Sequence, residues 1–130
     1  MSEENVEIVR RVYDDWMRGD FTGGEVFHPE VEFAMTDWPE GSATRGREEM
    51  ARAWQAALRA WDDFVAVPGE VLDAGEHVVV ITHVTGRGKN SGLEARATTA
   101  TMWTFEGGEV VRLGLYWDSA KALEAAGLSE

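Results

Sequence analysis

The spacing of apolar residues along this chain changes partway, from a helical period to a strand period. In SEENVEIVRRVYDDWMRGD, Val6, Val9, Val12 or Tyr13, and Trp16 recur at the spacing of a helix with one buried face. Ser2 can cap its start, Glu3 and Glu4 suit the positive end of its dipole, and Gly19 suits a left-handed stop. A short helical turn from Phe21 to Val26 follows. FHPEVEFAM reads as loop and strand: His28-Pro29 breaks a helix, and Val31, Phe33 and Met35 alternate with Glu32 and Ala34. TDWPEGSATRG, rich in turn formers, reads as a loop. REEMARAWQAALRAWDDF returns to the helical period, with Met50, Trp54, Leu58 and Trp61 along one face.

From residue 64 the period shortens to two. FVAVPGEVLDAG, HVVVITHVTGRG, LEARATTATMWTF and EVVRLGLYW read as strands, with GRGKNSG and EGG as hairpin turns. A short helix ends the chain, with Asp118 as its N-cap. The order α, short α, β, α, β, β, β, β, α is an α+β pattern, with helices laid on one face of a curved, mainly antiparallel sheet. No linker, repeat or low-complexity stretch interrupts it, so residues 1–130 read as a single domain. A sheet curled around helices leaves a cone-shaped cavity, and such cavities are default ligand sites.

Composition narrows the partners. Six Trp among 130 residues point to aromatic walls inside. A net charge of −12 repels phosphate backbones and anionic lipid surfaces, so neither nucleic acid nor membrane is an expected partner. No apolar run reaches the roughly 18 residues of a membrane span. The acidic, polar start is unlike a signal peptide, and with no Cys a cytoplasmic protein is the expectation. His77 and His83, six apart on one strand, are separated by roughly 20 Å and cannot share an ion. No metal and no cofactor is expected.

VRRVYDDWMRGD, FHPEVEF, RGREEM, GRGKNSGLEA, WTFEGGEVVRL and LYWDSAKALEAAGL, in that order and spacing, resemble the nuclear transport factor 2-like superfamily. Within it the chain is most similar to the SnoaL-like and ketosteroid-isomerase-like branch of small bacterial proteins. The resemblance covers nearly the whole chain. It implies a cone-shaped, cystatin-like α+β barrel, a pocket between helices and concave sheet, and a homodimer. The family spans isomerases, polyketide cyclases, epoxide hydrolases and dehydratases, so fold alone does not carry a reaction.

Ketosteroid isomerases combine a carboxylate base with an oxyanion hole made of a tyrosine and a protonated carboxylic acid. Carried onto this chain, the base position falls on Met35, which cannot take a proton. The acid position falls on Thr101, a weaker donor. The tyrosine position falls on Val12, with Tyr13 about 100° further round the helix. The final Asp of the epoxide hydrolases falls on Leu115, and Arg96 has the strand parity opposite to Thr101 and Trp103. The full constellation of either enzyme is therefore absent.

The cyclases abstract a proton with an acidic base near the pocket, and Asp37 is the substitute base here. Trp38 beside it would exclude water and raise its pKa. Asp37 reads first as a turn residue ahead of Pro39 and second as this base. His83 reads as a catalytic group or as a histidine satisfied by a hydrogen bond, because its strand does not reveal which of its faces is concave. Asp37, Tyr13, His83 and Thr101 are thus the candidate catalytic residues. Thr99, Trp103, Leu113, Leu115 and Trp117 share the inferred inward parity. With Trp16, Met35, Trp38 and Trp54 they are the candidate ligand-binding residues. Arg45 and Arg47 are expected in surface salt bridges. Three readings remain: an acid–base isomerase or cyclase-like enzyme on a cyclic or polyketide-like substrate, a non-catalytic binder of a small apolar molecule, or a dimeric interaction module.

Overall fold

Two apolar helical stripes and four long strands can bury their apolar faces together only if the helices lie across one face of the sheet. The computed structural model has this arrangement; it describes residues 2–18, 24–35, 43–59, 61–89 and 91–128. Helix α1 (Ser2–Met17) and a 3-10 turn (Gly24–Val26) lead into β1 (Phe27–Met35), β2 (Ala43–Arg45) and α2 (Arg47–Arg59). Then come β3 (Trp61–Ala74), β4 (His77–Gly88), β5 (Glu94–Glu106), β6 (Glu109–Tyr116) and α3 (Ser119–Ala125). One sheet holds all six strands in the order β2-β1-β6-β5-β4-β3. The β1–β6 pair is parallel and every other pair antiparallel, as the α+β reading requires.

The sheet is buried on both faces over part of its width. On the inner face, Val9, Val12 and Tyr13 of α1 join Val31 and Phe33 of β1, Val78 and Val80 of β4, and Trp103 of β5 in one core. On the outer face, Val79, Ala100, Met102 and Tyr116 form a second core with Ala122 of α3. That is why Val78, Val79 and Val80 run consecutively instead of alternating with polar residues. It also settles the orientation of β4: Val78, Val80, Thr82 and Val84 face inward, and His77, Val79, Ile81 and His83 outward.

Three boundaries differ from the sequence reading. Ala43–Arg45, expected as loop, pairs antiparallel with β1 as a short edge strand, and Arg45 reaches Glu32 across it at 3.3 Å. Helix α2 stops at Arg59, and Trp61 begins β3 instead of continuing the helical stripe. Trp61 lies over the bare backbone of Gly86 on β4, where a Cβ would come within 3.1 Å of the indole, so its apolar area is used across strands. A bulge follows between Asp62 and Val65, with Asp63 at φ 54°. The helical turn expected from Phe21 is a 3-10 turn at Gly24–Val26; Gly19 and residues 21–23 lie outside the described set, as does the Leu58 side chain. The EGG hairpin forms as expected, with Gly107 and Gly108 at φ 58° and 82°. Among the described residues, no helix is long and apolar enough to cross a membrane.

Asp118 caps α3. Its backbone is extended (φ −93°, ψ 111°), and its Oδ1 accepts the Ala120 N–H at 3.0 Å. The Asp118→Ala variant is expected to lose about 1 kcal/mol and a few degrees in Tm. Asp118→Ser should keep most of both. Thermal unfolding followed by circular dichroism checks this, and an unchanged Tm in the alanine variant would deny the cap its role.

Candidate functional site

A cavity of about 450 Å³ opens between α1, α2 and the inner face of the sheet. That volume suits a small organic molecule of two or three rings. Its walls are mostly apolar: Trp16 stacks on Trp54 with centroids 5.8 Å apart, and Phe33 meets Trp54 edge-on at 6.3 Å.

Of the residues expected there, Trp16, Trp54, Thr99, Leu113 and Leu115 stand on the wall, and so do Tyr13 and Thr101. Met35, Trp103 and Trp117 do not. Met35 and Trp103 are fully packed into the inner core, and Trp117 is half-buried against it. Trp103 points inward as its parity implied, but Tyr13, Trp16 and Phe27 cover it: its ring lies 5.7 to 5.9 Å from theirs. His83 is also corrected. It lies exposed on the outer face, with Nδ1 3.4 Å from Thr98 Oγ1, and takes no part in this cavity. Asp37 and Trp38 lie outside the described residues.

The sequence reading missed Phe27, Phe33, Thr82 and Arg47 on the wall. Thr82 belongs to the β4 face whose direction was undecidable from that strand alone. Arg47 was expected in a surface ion pair. Instead its Nε donates to the Phe27 carbonyl at 2.7 Å, tying the start of α2 to the start of β1 at the cavity edge. Among the described lining residues Arg47 is the sole charged side chain, and no Asp, Glu, His or Lys joins it. Among the described residues, no cluster of three His, Asp or Glu is placed to hold a metal ion.

The polar centre of the cavity is a relay of three side chains. Trp103 Nε1 donates to Thr101 Oγ1 at 2.8 Å, and Thr101 Oγ1 lies 2.8 Å from Tyr13 Oη. Tyr13 is 4% exposed, and burial raises the pKa of its phenol well above the ordinary 10.0; the hydrogen-bonding contacts with Thr101 and Trp103 pull the other way and are outweighed. The phenol therefore stays neutral. The relay holds one N–H and two O–H protons and uses two of them internally. Whichever hydroxyl donates to the other, one O–H proton remains for a ligand. This is a hydrogen-bond donor set in an apolar wall, able to hold a carbonyl oxygen or the negative charge that develops on one.

A family model for the SnoaL-like domain matches residues 9–113. No curated protein matches the chain. Among solved structures, an NTF2-like protein of unknown function from Burkholderia pseudomallei superposes with a TM-score of 0.79 at 24% identity, over 95% of this chain and 97% of that one. An NTF2-like protein from Burkholderia xenovorans is 27% identical, with a TM-score of 0.75 over 97% of both chains. TerC, co-crystallised with polyporic acid, is 19% identical with a TM-score of 0.76, over 95% of this chain and 98% of its own.

A raised phenol pKa ties Tyr13 to alkaline stability. The unfolded chain releases the proton near pH 10 and the folded chain only above it, so this contribution is complete below pH 10 and fades as pH climbs beyond. Ultraviolet titration of the phenolate should show a component delayed beyond the ordinary tyrosine range. Tyr13→Phe should remove that component. A titration without a delayed step, in protein that is still folded, would contradict the burial described.

Proposed function

The chain belongs to the SnoaL-like domain family, and we propose that it binds a small, mainly apolar ring compound through one ligand oxygen held on the Tyr13–Thr101 pair. The observation that carries this reading is the single O–H proton left over by the Trp103–Thr101–Tyr13 relay inside a largely apolar cavity. Stacked Trp16 and Trp54 offer a flat wall to a ring. The co-crystallisation of TerC, which has the same fold, with polyporic acid is in keeping with this.

A catalytic version of the reading is favoured by the same pair, because donors fixed in a dry wall stabilise an enolate oxygen as readily as a carbonyl. It describes proton abstraction beside a carbonyl, as in an isomerase or a cyclase acting on a cyclic or polyketide-like substrate. Asp37 is its candidate base, two positions beyond the end of β1.

Tetralin and 2-tetralone, which differ by one carbonyl, test binding. Titrated against tryptophan fluorescence, 2-tetralone should bind more tightly than tetralin. Because either hydroxyl can supply the spare proton, Tyr13→Phe alone and Thr101→Val alone should each weaken 2-tetralone only a few-fold. The double variant also removes the acceptor of the Trp103 N–H, so it is read as a ratio: the preference for 2-tetralone over tetralin should fall about tenfold. Failure of both compounds to bind would end the reading.

Proton exchange tests catalysis. In D2O the wild type should accelerate deuterium uptake beside the 2-tetralone carbonyl, and Asp37→Asn should abolish the acceleration while keeping affinity. Binding without acceleration would leave a non-catalytic binder.

A further inference from the structure

The cavity wall carries a second hydroxyl pair that the relay does not use. Thr82 on β4 and Thr99 on β5 are direct cross-strand partners, with Oγ1 atoms 2.6 Å apart, and each residue is 3% exposed. Both stand on the cavity wall. One of the two hydroxyl protons is used between them, and among the described residues neither hydroxyl has another hydrogen-bond partner. The other proton and the remaining lone pairs are therefore left over beside the cavity. The next inward residues on β4, Val80 and Val84, are apolar. Valine has nearly the shape of threonine, and at these positions it would leave no polar group unmatched in a dry wall.

Spacing gives the ligand its dimensions. Thr99 and Thr101 are two residues apart on one face of β5, so the pairs are separated by about 7 Å along the strand. The Tyr13–Thr101 end offers a spare donor. The Thr82–Thr99 end offers a spare donor and free acceptor lone pairs, and so accommodates a hydroxyl.

We infer that Thr82 and Thr99 form a second polar subsite, and that the cavity takes a ring compound bearing two oxygen functions about 7 Å apart, a carbonyl at Tyr13–Thr101 and a hydroxyl at Thr82–Thr99. This rests on the binding function proposed above and narrows its ligand class.

The test adds 6-hydroxy-2-tetralone, whose hydroxyl lies at the ring end far from the carbonyl. Wild-type protein should bind it about fivefold more tightly than 2-tetralone. In Thr82→Val/Thr99→Val the ratio of the two affinities should fall to about one. Thr99→Ser, which keeps the hydroxyl, should keep the advantage. An equal affinity of wild type for the two ketones overturns the second subsite even if no variant folds, and so does an advantage that survives in the double valine variant. In both cases 2-tetralone still binds, so the pocket function stands. Loss of all binding in wild type overturns both proposals together.

Discussion

A buried indole N–H left without an acceptor costs free energy, as those of Trp54 and Trp61 do among the described residues, and the inner face of the sheet spares Trp103 that cost. The ring has no solvent exposure, and its N–H is met by Thr101, two residues back on the same face of β5. This occupies one side of the threonine oxygen and leaves the other to Tyr13 of α1 at 2.8 Å. The contact fixes how α1 is rotated about its axis over the sheet. Tyr13 sits edge-on to Trp16 at 5.2 Å, and Trp16 in turn faces Trp54 of α2. Helix docking, the aromatic wall and the neutral phenol thus share one origin.

The outer face explains why a small chain can keep a hollow interior. A cavity forgoes packing contacts that a filled core would make. Here α3 folds back over Val79, Ala100, Met102 and Tyr116, so the strands gain burial on their outer side while part of the inner side stays open. Gly114 contributes to that layer: a Cβ there would come within 3.1 Å of the Tyr116 ring. The Asp118 cap, remote from the cavity in function, holds the helix that provides this cover.

Periodicity made the helices and long strands legible, because each has one face whose burial is set locally. It failed where burial depends on distant segments. Val78 to Val84 is apolar on both sides, so the direction of Thr82 and His83 followed only from knowing where α3 lies. Parity oriented Trp103 correctly but said nothing of depth, since three rings from elsewhere in the chain cover it. Counting residues placed Val12 at the tyrosine position. Both Val12 and Tyr13 are buried, and only the longer side chain reaches Thr101. Trp61 fitted a helical stripe and instead covers Gly86, a cross-strand opportunity invisible in its own neighbourhood. Ala43–Arg45 is too short to show any period.

The contact between Tyr13 and Thr101 is undirected: either oxygen can be the donor. Rotating the two hydroxyls in concert carries the available hydrogen from one oxygen to the other, 2.8 Å away, with every heavy atom in place. On the proposed function, the wall would favour a guest with an acceptor and be lenient about where that acceptor arrives. A guest whose oxygen shifted as its bonding changed would stay held, because the hydrogen would follow it.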